Sequence, residues 1–175
     1  EDHLNALKAA IGNRKVSHIL VSHTHADHSP LAARLQRITG AKTYAEGPHR
    51  AARKLRTGEI NPLDASADTA FNPDVVLSDG ELIEGDGWTI EAIHTPGHTA
   101  NHTVFALAGK SILFSADHVM GWATSIVAPP DGAMADYMAS LERLAARDDG
   151  LFLPGHGAAI ENPKPFLRGL KAHRL

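Results

Sequence analysis

His23-Thr24-His25-Ala26-Asp27-His28 places four metal-competent side chains within six residues, directly after the apolar run Ile19 to Val21. Imidazole nitrogens and carboxylate oxygens are the donors that suit Zn²⁺ and related borderline cations. Alternate residues of an extended chain point the same way, so His23 and His25 share one side where the strand ends. Asp27 and His28 follow on the turn and face a neighbouring point. Two cations can share such a segment, an arrangement suited to hydrolysis.

Three more ligand candidates stand downstream: His98 in Thr95-Pro96-Gly97-His98-Thr99, Asp117 in Ser115-Ala116-Asp117-His118, and His156 in Pro154-Gly155-His156-Gly157. Each comes after a short apolar stretch, Thr89 to Ile93, Ile112 to Phe114 and Leu151 to Leu153, so each is expected where a strand leaves a sheet. Ligands on successive strand ends converge at one rim. With these residues together, the chain resembles the metallo-β-lactamase superfamily, whose His-x-His-x-Asp-His, His, Asp, His pattern is complete from about Val16 to Gly157. The resemblance implies an α/β fold, a four-layer αββα sandwich of two facing sheets with helices on both outsides. It also implies two divalent ions, zinc first: His23, His25 and His98 on one, Asp27, His28 and His156 on the other, Asp117 bridging. Such a pair of cations brings the pKa of a shared water toward neutrality and yields a metal-bridging hydroxide. Asp27 would orient it and pass a proton to the leaving group.

Length and composition set bounds. The 175 residues, 43% of them hydrophobic, fit one domain with a core of its own. No apolar run reaches the length of a membrane span, and the first residues lack the pattern of a signal segment. The absence of cysteine excludes disulfides and thiolate ligands and fits a cytoplasmic protein. A net charge of −3 argues against a surface that is basic throughout. Two local basic groups remain, Arg50, Arg53, Lys54 and Arg56, and Lys164, Arg168, Lys171 and Arg174, which read first as solvated faces.

The elements that must position the ligands follow from spacing. Leu4, Leu7 and Ile11 predict a helix stopped by Gly12-Asn13, and His18 to Val21 a buried strand. Ser29-Pro30 reads as N-cap and first turn of a helix whose stripe is Leu31, Leu35 and Ile38, ending before Gly40. A strand at Lys42 to Ala45, a helix-compatible basic stretch from His49 to Arg56 and a loop from Asn61 to Pro73 come next. Val75 to Leu77, Glu81 to Ile83, Thr89 to Ile93, Thr103 to Leu107 and Ser111 to Ser115 are predicted strands. Met134, Tyr137, Met138, Leu141 and Leu144 predict an amphipathic helix packed in the core, and Pro163 to Leu175 a last helix. Relatives in the family carry several strands before the first His motif. Only 22 residues precede His23, so N-terminal strands are expected to be missing here, leaving the strand Ile19 to Val21 with an open edge.

Among the remaining histidines, His3, His18, His49 and His173 read as surface or strand residues. His94, His102 and His118 flank ligands, and the resemblance makes His102 and His118 supports for the ligands or substrate contacts. Trp122 reads equally as a pocket wall or as core. Within the superfamily, flavodiiron oxygen reductases carry Glu where His25 stands, and true metallo-β-lactamases do not normally use an Asp bridge at the position of Asp117. Glyoxalase II shares the full ligand set but adds a C-terminal glutathione-binding region, whereas 19 residues follow His156 here. The segments Asp117 to Thr124 and Glu161 to Arg174 most resemble the lactamase-β-like-2 subgroup, which includes endoribonucleases. The expected function is therefore a dinuclear metal-dependent hydrolase of an ester-type bond, with single-stranded RNA the first substrate to try. A small-molecule thioesterase or lactonase of glyoxalase II type, and a non-catalytic metal-binding protein, are the alternatives.

Overall fold

The computed structural model describes residues 2–61 and 66–174. Its elements are α1 (Asp2–Ile11), β1 (His18–Leu20), α2 (Pro30–Thr39), β2 (Lys42–Ala45), β3 (Val75–Val76), β4 (Leu82–Gly85), β5 (Trp88–His94), β6 (Thr103–Leu107), β7 (Ile112–Ala116), α3 (Met134–Ala145), β8 (Leu151–Pro154), β9 (Ile160–Glu161) and α4 (Pro163–Arg174). Strands β1, β2 and β3 form a parallel sheet in that order. Strands β4 to β9 form a second sheet in sequence order, antiparallel except where β7 pairs with β8. Parallel pairing needs a long crossover, supplied by α2 between β1 and β2 and by α3 between β7 and β8.

Alternation along the strands builds the layers. Val104 and Ala106 of β6 turn toward α3 and α4 and join Ile93, Leu113, Phe152, Tyr137, Leu141, Leu144 and Leu167. Phe105, between them, turns the other way and packs with Leu77, Ile83 and Ala92, with Leu20 and Tyr44 of the smaller sheet beside it. On the smaller sheet Ile19, Val21 and Ala45 face Ala32 and Leu35 of α2. Helices thus cover both outer faces and the sheets meet in the middle, the four-layer sandwich expected from the sequence.

As expected, β1 is an edge strand among the described residues, paired only with β2. Beside it a cavity of about 370 Å³ opens between the sheets, lined by Leu20, Ile90, Phe105, Phe114 and Leu153, with His28 at one end.

Local expectations fail where side chains find distant partners. His49 to Arg56 is not helical. Its groups bond outside an i to i−4 ladder: Ala52 N–H donates to the Pro130 carbonyl, and Arg53 and the Arg56 N–H both bond Glu59. Ser29 has helical φ, ψ of −86° and −32° and makes no cap; its hydroxyl donates to Asp68 at 2.7 Å. The stripe of α2 is also displaced, since Ala32 is its buried residue while Ile38 is exposed. In α3 the core residues are Tyr137, Leu141 and Leu144, and Met134 lies on the exposed side. The loop Asn61 to Pro73 is described only in part, residues 62–65 lying outside the described ones.

Candidate metal centre

All seven predicted ligands meet at one rim. His23 leaves β1 on extended chain, and the segment after it is held by the 66–68 loop: Ala26 N–H donates to the Ser66 carbonyl and Asp68 N–H to the Thr24 carbonyl. His98 follows β5, Asp117 follows β7 and His156 follows β8. A register shift between Phe114 and Ala116, with Ala116 at φ +44°, turns the chain just before Asp117. Bulges of this kind re-aim a side chain at the end of a strand. Gly97 is required for another reason: at φ +139° a Cβ there would lie 2.3 Å from Tyr137 Cα, so only glycine lets α3 pack this close to the His98 loop.

Three imidazole nitrogens cluster first. His23 Nε2 lies 3.1 Å from His25 Nδ1, and His98 Nε2 lies 3.0 Å from that same atom. The second group gathers round the carboxylates: Asp27 Oδ2 is 3.1 Å from His156 Nε2 and 3.7 Å from His28 Nε2. Asp117 stands between the groups, with Oδ1 3.3 Å from His28 Nε2 and Oδ2 3.5 Å from His156 Nε2 and 3.8 Å from His98 Nε2. Donor atoms of His23, His25 and His98, of His23, His28 and Asp117, and of Asp27, His28 and His156 lie within 4.8 Å of one another in each set.

The electrostatics fit a cation. Burial drives His23 far below the ordinary histidine range, with the neighbouring rings of His102, His28, His98 and His25 adding to it. Burial and His98 bring His25 down to about 4, and burial lowers His98 although the Ile126 carbonyl opposes it. These rings are therefore neutral near pH 7, the form that binds metal. For Asp117 burial pushes upward, but His28, His98 and His156 outweigh it and keep the carboxyl below its usual range. His98 Nδ1 lies 2.6 Å from the Ile126 carbonyl, so it carries the proton and leaves Nε2 free as a lone pair. His28 Nε2 and Asp117 Oδ1 are buried without a hydrogen-bond partner. Lone pairs crowded together and left unpaired are costly unless a cation neutralises them.

The centre opens into a cavity of about 700 Å³ lined by His25, Asp27, Asp117 and His156 with Met120, Trp122 and Ile126. Asp27 is the most open of the carboxylates, with its side chain 59% exposed. His102 and His118 are fully buried and do not line that cavity. They stand behind the ligands: the His102 ring is 5.0 Å from His23, its Nδ1 lies 2.9 Å from Thr95 Oγ1, and His118 packs 4.5 Å from Tyr137. Support fits this placement and substrate contact does not. His94 Nε2 lies 3.1 Å from the Leu77 carbonyl, away from the centre. Trp122 resolves as a pocket wall, 74% exposed.

His49, read from sequence as a surface or strand residue, belongs to a network missed there. Its Nδ1 lies 3.0 Å from Thr24 Oγ1 and its Nε2 3.6 Å from the fully buried Asp131, which accepts from Asn61 Nδ2 at 2.5 Å. Asn101 also donates to Thr24 Oγ1 at 3.0 Å. Thr24 separates two ligands, so the network fixes the His23 to His25 segment from behind. Partners this far apart in sequence leave no local signal.

The superfamily described as metallo-beta-lactamase matches residues 2–156. The chain belongs to the metallo-beta-lactamase superfamily. Among curated relatives, the lactamase-like protein nscB of Arthroderma gypseum is 32% identical over 152 residues, covering 86% of this chain and 41% of that protein. The atrochrysone carboxyl ACP thioesterase AgnL7 of Paecilomyces divaricatus is 30% identical over 148 residues, covering 85% of this chain and 40% of that protein. This superfamily chain spans about two fifths of the length of these relatives. The crystal structure of a metallo-beta-lactamase family protein from Thermus thermophilus superposes with a TM-score of 0.79 at 24% identity, covering 98% of this chain and 65% of that one. No helix among the described residues is long and apolar enough to cross a membrane.

Proposed function

We propose that this superfamily member is a metal-dependent hydrolase of acyl thioesters. His23, His25 and His98 would hold one divalent ion, Asp27, His28 and His156 a second, with Asp117 shared and zinc preferred. The observation that carries the reading is the convergence of seven imidazole and carboxylate donors, two of them with a buried and unpaired donor atom, at the floor of an open cavity. Bound there, the ions would supply Lewis acidity toward a carbonyl oxygen and toward water.

The chain's own residues do the rest. Asp27, open to the cavity, accepts a proton from the attacking water while that oxygen adds to the thioester carbonyl carbon. The C–S bond then breaks, giving a carboxylic acid and a thiol. A thiol is acidic enough to depart with little protonation, so one exposed carboxylate suffices. Met120, Trp122 and Ile126 give the cavity an apolar wall.

RNA, first in line from the sequence, now stands second. Four of the eight basic residues that would neutralise phosphates are engaged in ion pairs: Arg50 with Glu46, Arg53 with Glu59, Lys164 with Asp148 and Lys171 with Glu142. Relatives named as acyl carrier protein thioesterases favour the thioester instead. A cytoplasmic setting is consistent with the absence of cysteine. The test measures bound metal per chain, then turnover of an acyl thioester and of single-stranded RNA side by side, with Asp27→Ala as control. Thioester turnover well above that control is expected. Cleavage of RNA alone, weakening steeply with salt as polyanion binding must, would overturn the reading.

A further inference from the structure

Trp122 stands at the mouth of the metal cavity with its indole 6.4 Å from the His156 ring and inclined to it by 33°. Ile126, 64% exposed, lines the same cavity. Trp122 also lines a second groove of about 420 Å³, together with Pro165, Phe166 and Leu170 of α4 and with His173. One exposed indole is thus shared by the linings of the metal cavity and of this groove.

Gly169 is the second observation. It lies inside α4, where glycine weakens a helix relative to alanine, and a Cβ there would meet nothing within 4 Å. No packing contact demands glycine at this position. Its bareness leaves the groove open at this point of its lining.

We propose that this groove receives the acyl portion of the substrate, an apolar and preferably aromatic group, and that Trp122 selects it. The proposal rests on the thioesterase reading and names the substrate class for that same site. A flat apolar group matches the faces of Trp122 and Phe166. The thiol side of a carrier, rich in amides, would leave N–H and C=O groups unpaired against these walls.

The test uses the intact protein with acetyl and naphthoyl thioesters of one small thiol, N-acetylcysteamine. Wild type, Trp122→Ala and Gly169→Leu are compared by the ratio of kcat/KM for naphthoyl over acetyl. Wild type is expected to favour naphthoyl, and each variant to lower the ratio about tenfold, the scale on which a filled or lost apolar contact discriminates. Leucine is a stronger helix former than glycine, so Gly169→Leu should not lower Tm. A ratio unchanged in both variants overturns the proposal, as it would if another segment of the protein filled the groove. If neither thioester is hydrolysed, the thioesterase reading fails, and the groove is judged by calorimetric binding of naphthoate. Binding to wild type that Gly169→Leu abolishes supports the groove; equal binding, or none to wild type, overturns it.

Discussion

Gly155 sits directly against Asp117: a Cβ added to Gly155 would fall 2.5 Å from Asp117 Oδ1 and 3.0 Å from His28 Cε1. Its backbone N–H donates to the Ala116 carbonyl, which fixes the distance between β7 and β8 at this point. The carboxylate shared by the two ligand groups therefore occupies space that only glycine leaves.

Gly155→Ala is expected to push Asp117 out of line while leaving the sheet intact, because no positive φ is recorded at this position. Metal affinity should fall by about 10–100-fold, as it does when support of a ligand is lost. Asp117→Ala should loosen both ions. Metal content after dialysis against a graded chelator reads both variants. Wild-type metal retention in Gly155→Ala would show that the crowding does not displace Asp117, and wild-type retention in Asp117→Ala would show that it does not bridge.

How much of this was legible in the sequence follows from where each partner lies. Thr103 to Leu107 emerges as β6 with its predicted bounds because its alternation is local: Val104 and Ala106 to one face, Phe105 to the other. The convergence of the seven candidate ligands was also legible, since each lies in a segment that follows a strand. Ser29 misled because its hydroxyl bonds Asp68, a residue 39 positions away, rather than its own helix. The His49 stretch misled for the same reason, and its role behind Thr24 depends on Asp131, which spacing cannot supply. Exposure of Trp122 was equally invisible, as an indole after a ligand suits a wall or a core alike.

His49→Phe is expected to leave the buried Asp131 short of a partner and Thr24 short of a hydrogen bond. Such a loss costs about 1–3 kcal/mol. Urea unfolding should show a lower midpoint with an unchanged slope, and the double variant His49→Phe/Asp131→Asn should recover part of it. Equal stability in wild type and His49→Phe would make the network incidental to the fold.

Acidification should destabilise the metal-free protein. In the unfolded chain the histidines take up protons as pH falls through about 6.5, whereas burial keeps His25 neutral in the folded protein down to about 4 and His118 down to about 3. Between those values the unfolded state binds more protons, so stability is full above pH 6.5 or so and is lost as pH falls toward about 4. The slope is up to about 1.4 kcal/mol per pH unit for each such group. Urea midpoints of chelator-treated protein at a series of pH values from neutral down to mildly acidic check this. A flat series would mean that these rings are solvated in solution.

Asp27 separates binding from chemistry. It is the most open carboxylate of the centre and touches the second ligand group alone, through His156 and His28. Asp27→Asn keeps an oxygen that can face a cation but cannot take a proton from water. Metal content should therefore stay close to that of wild type, while kcat falls about 10²–10⁴-fold, the range assigned to a general base. Loss of one ion with proportional loss of activity would make Asp27 an anchor rather than a base. Full turnover with full metal would remove it from the mechanism and leave proton acceptance to another group of the cavity.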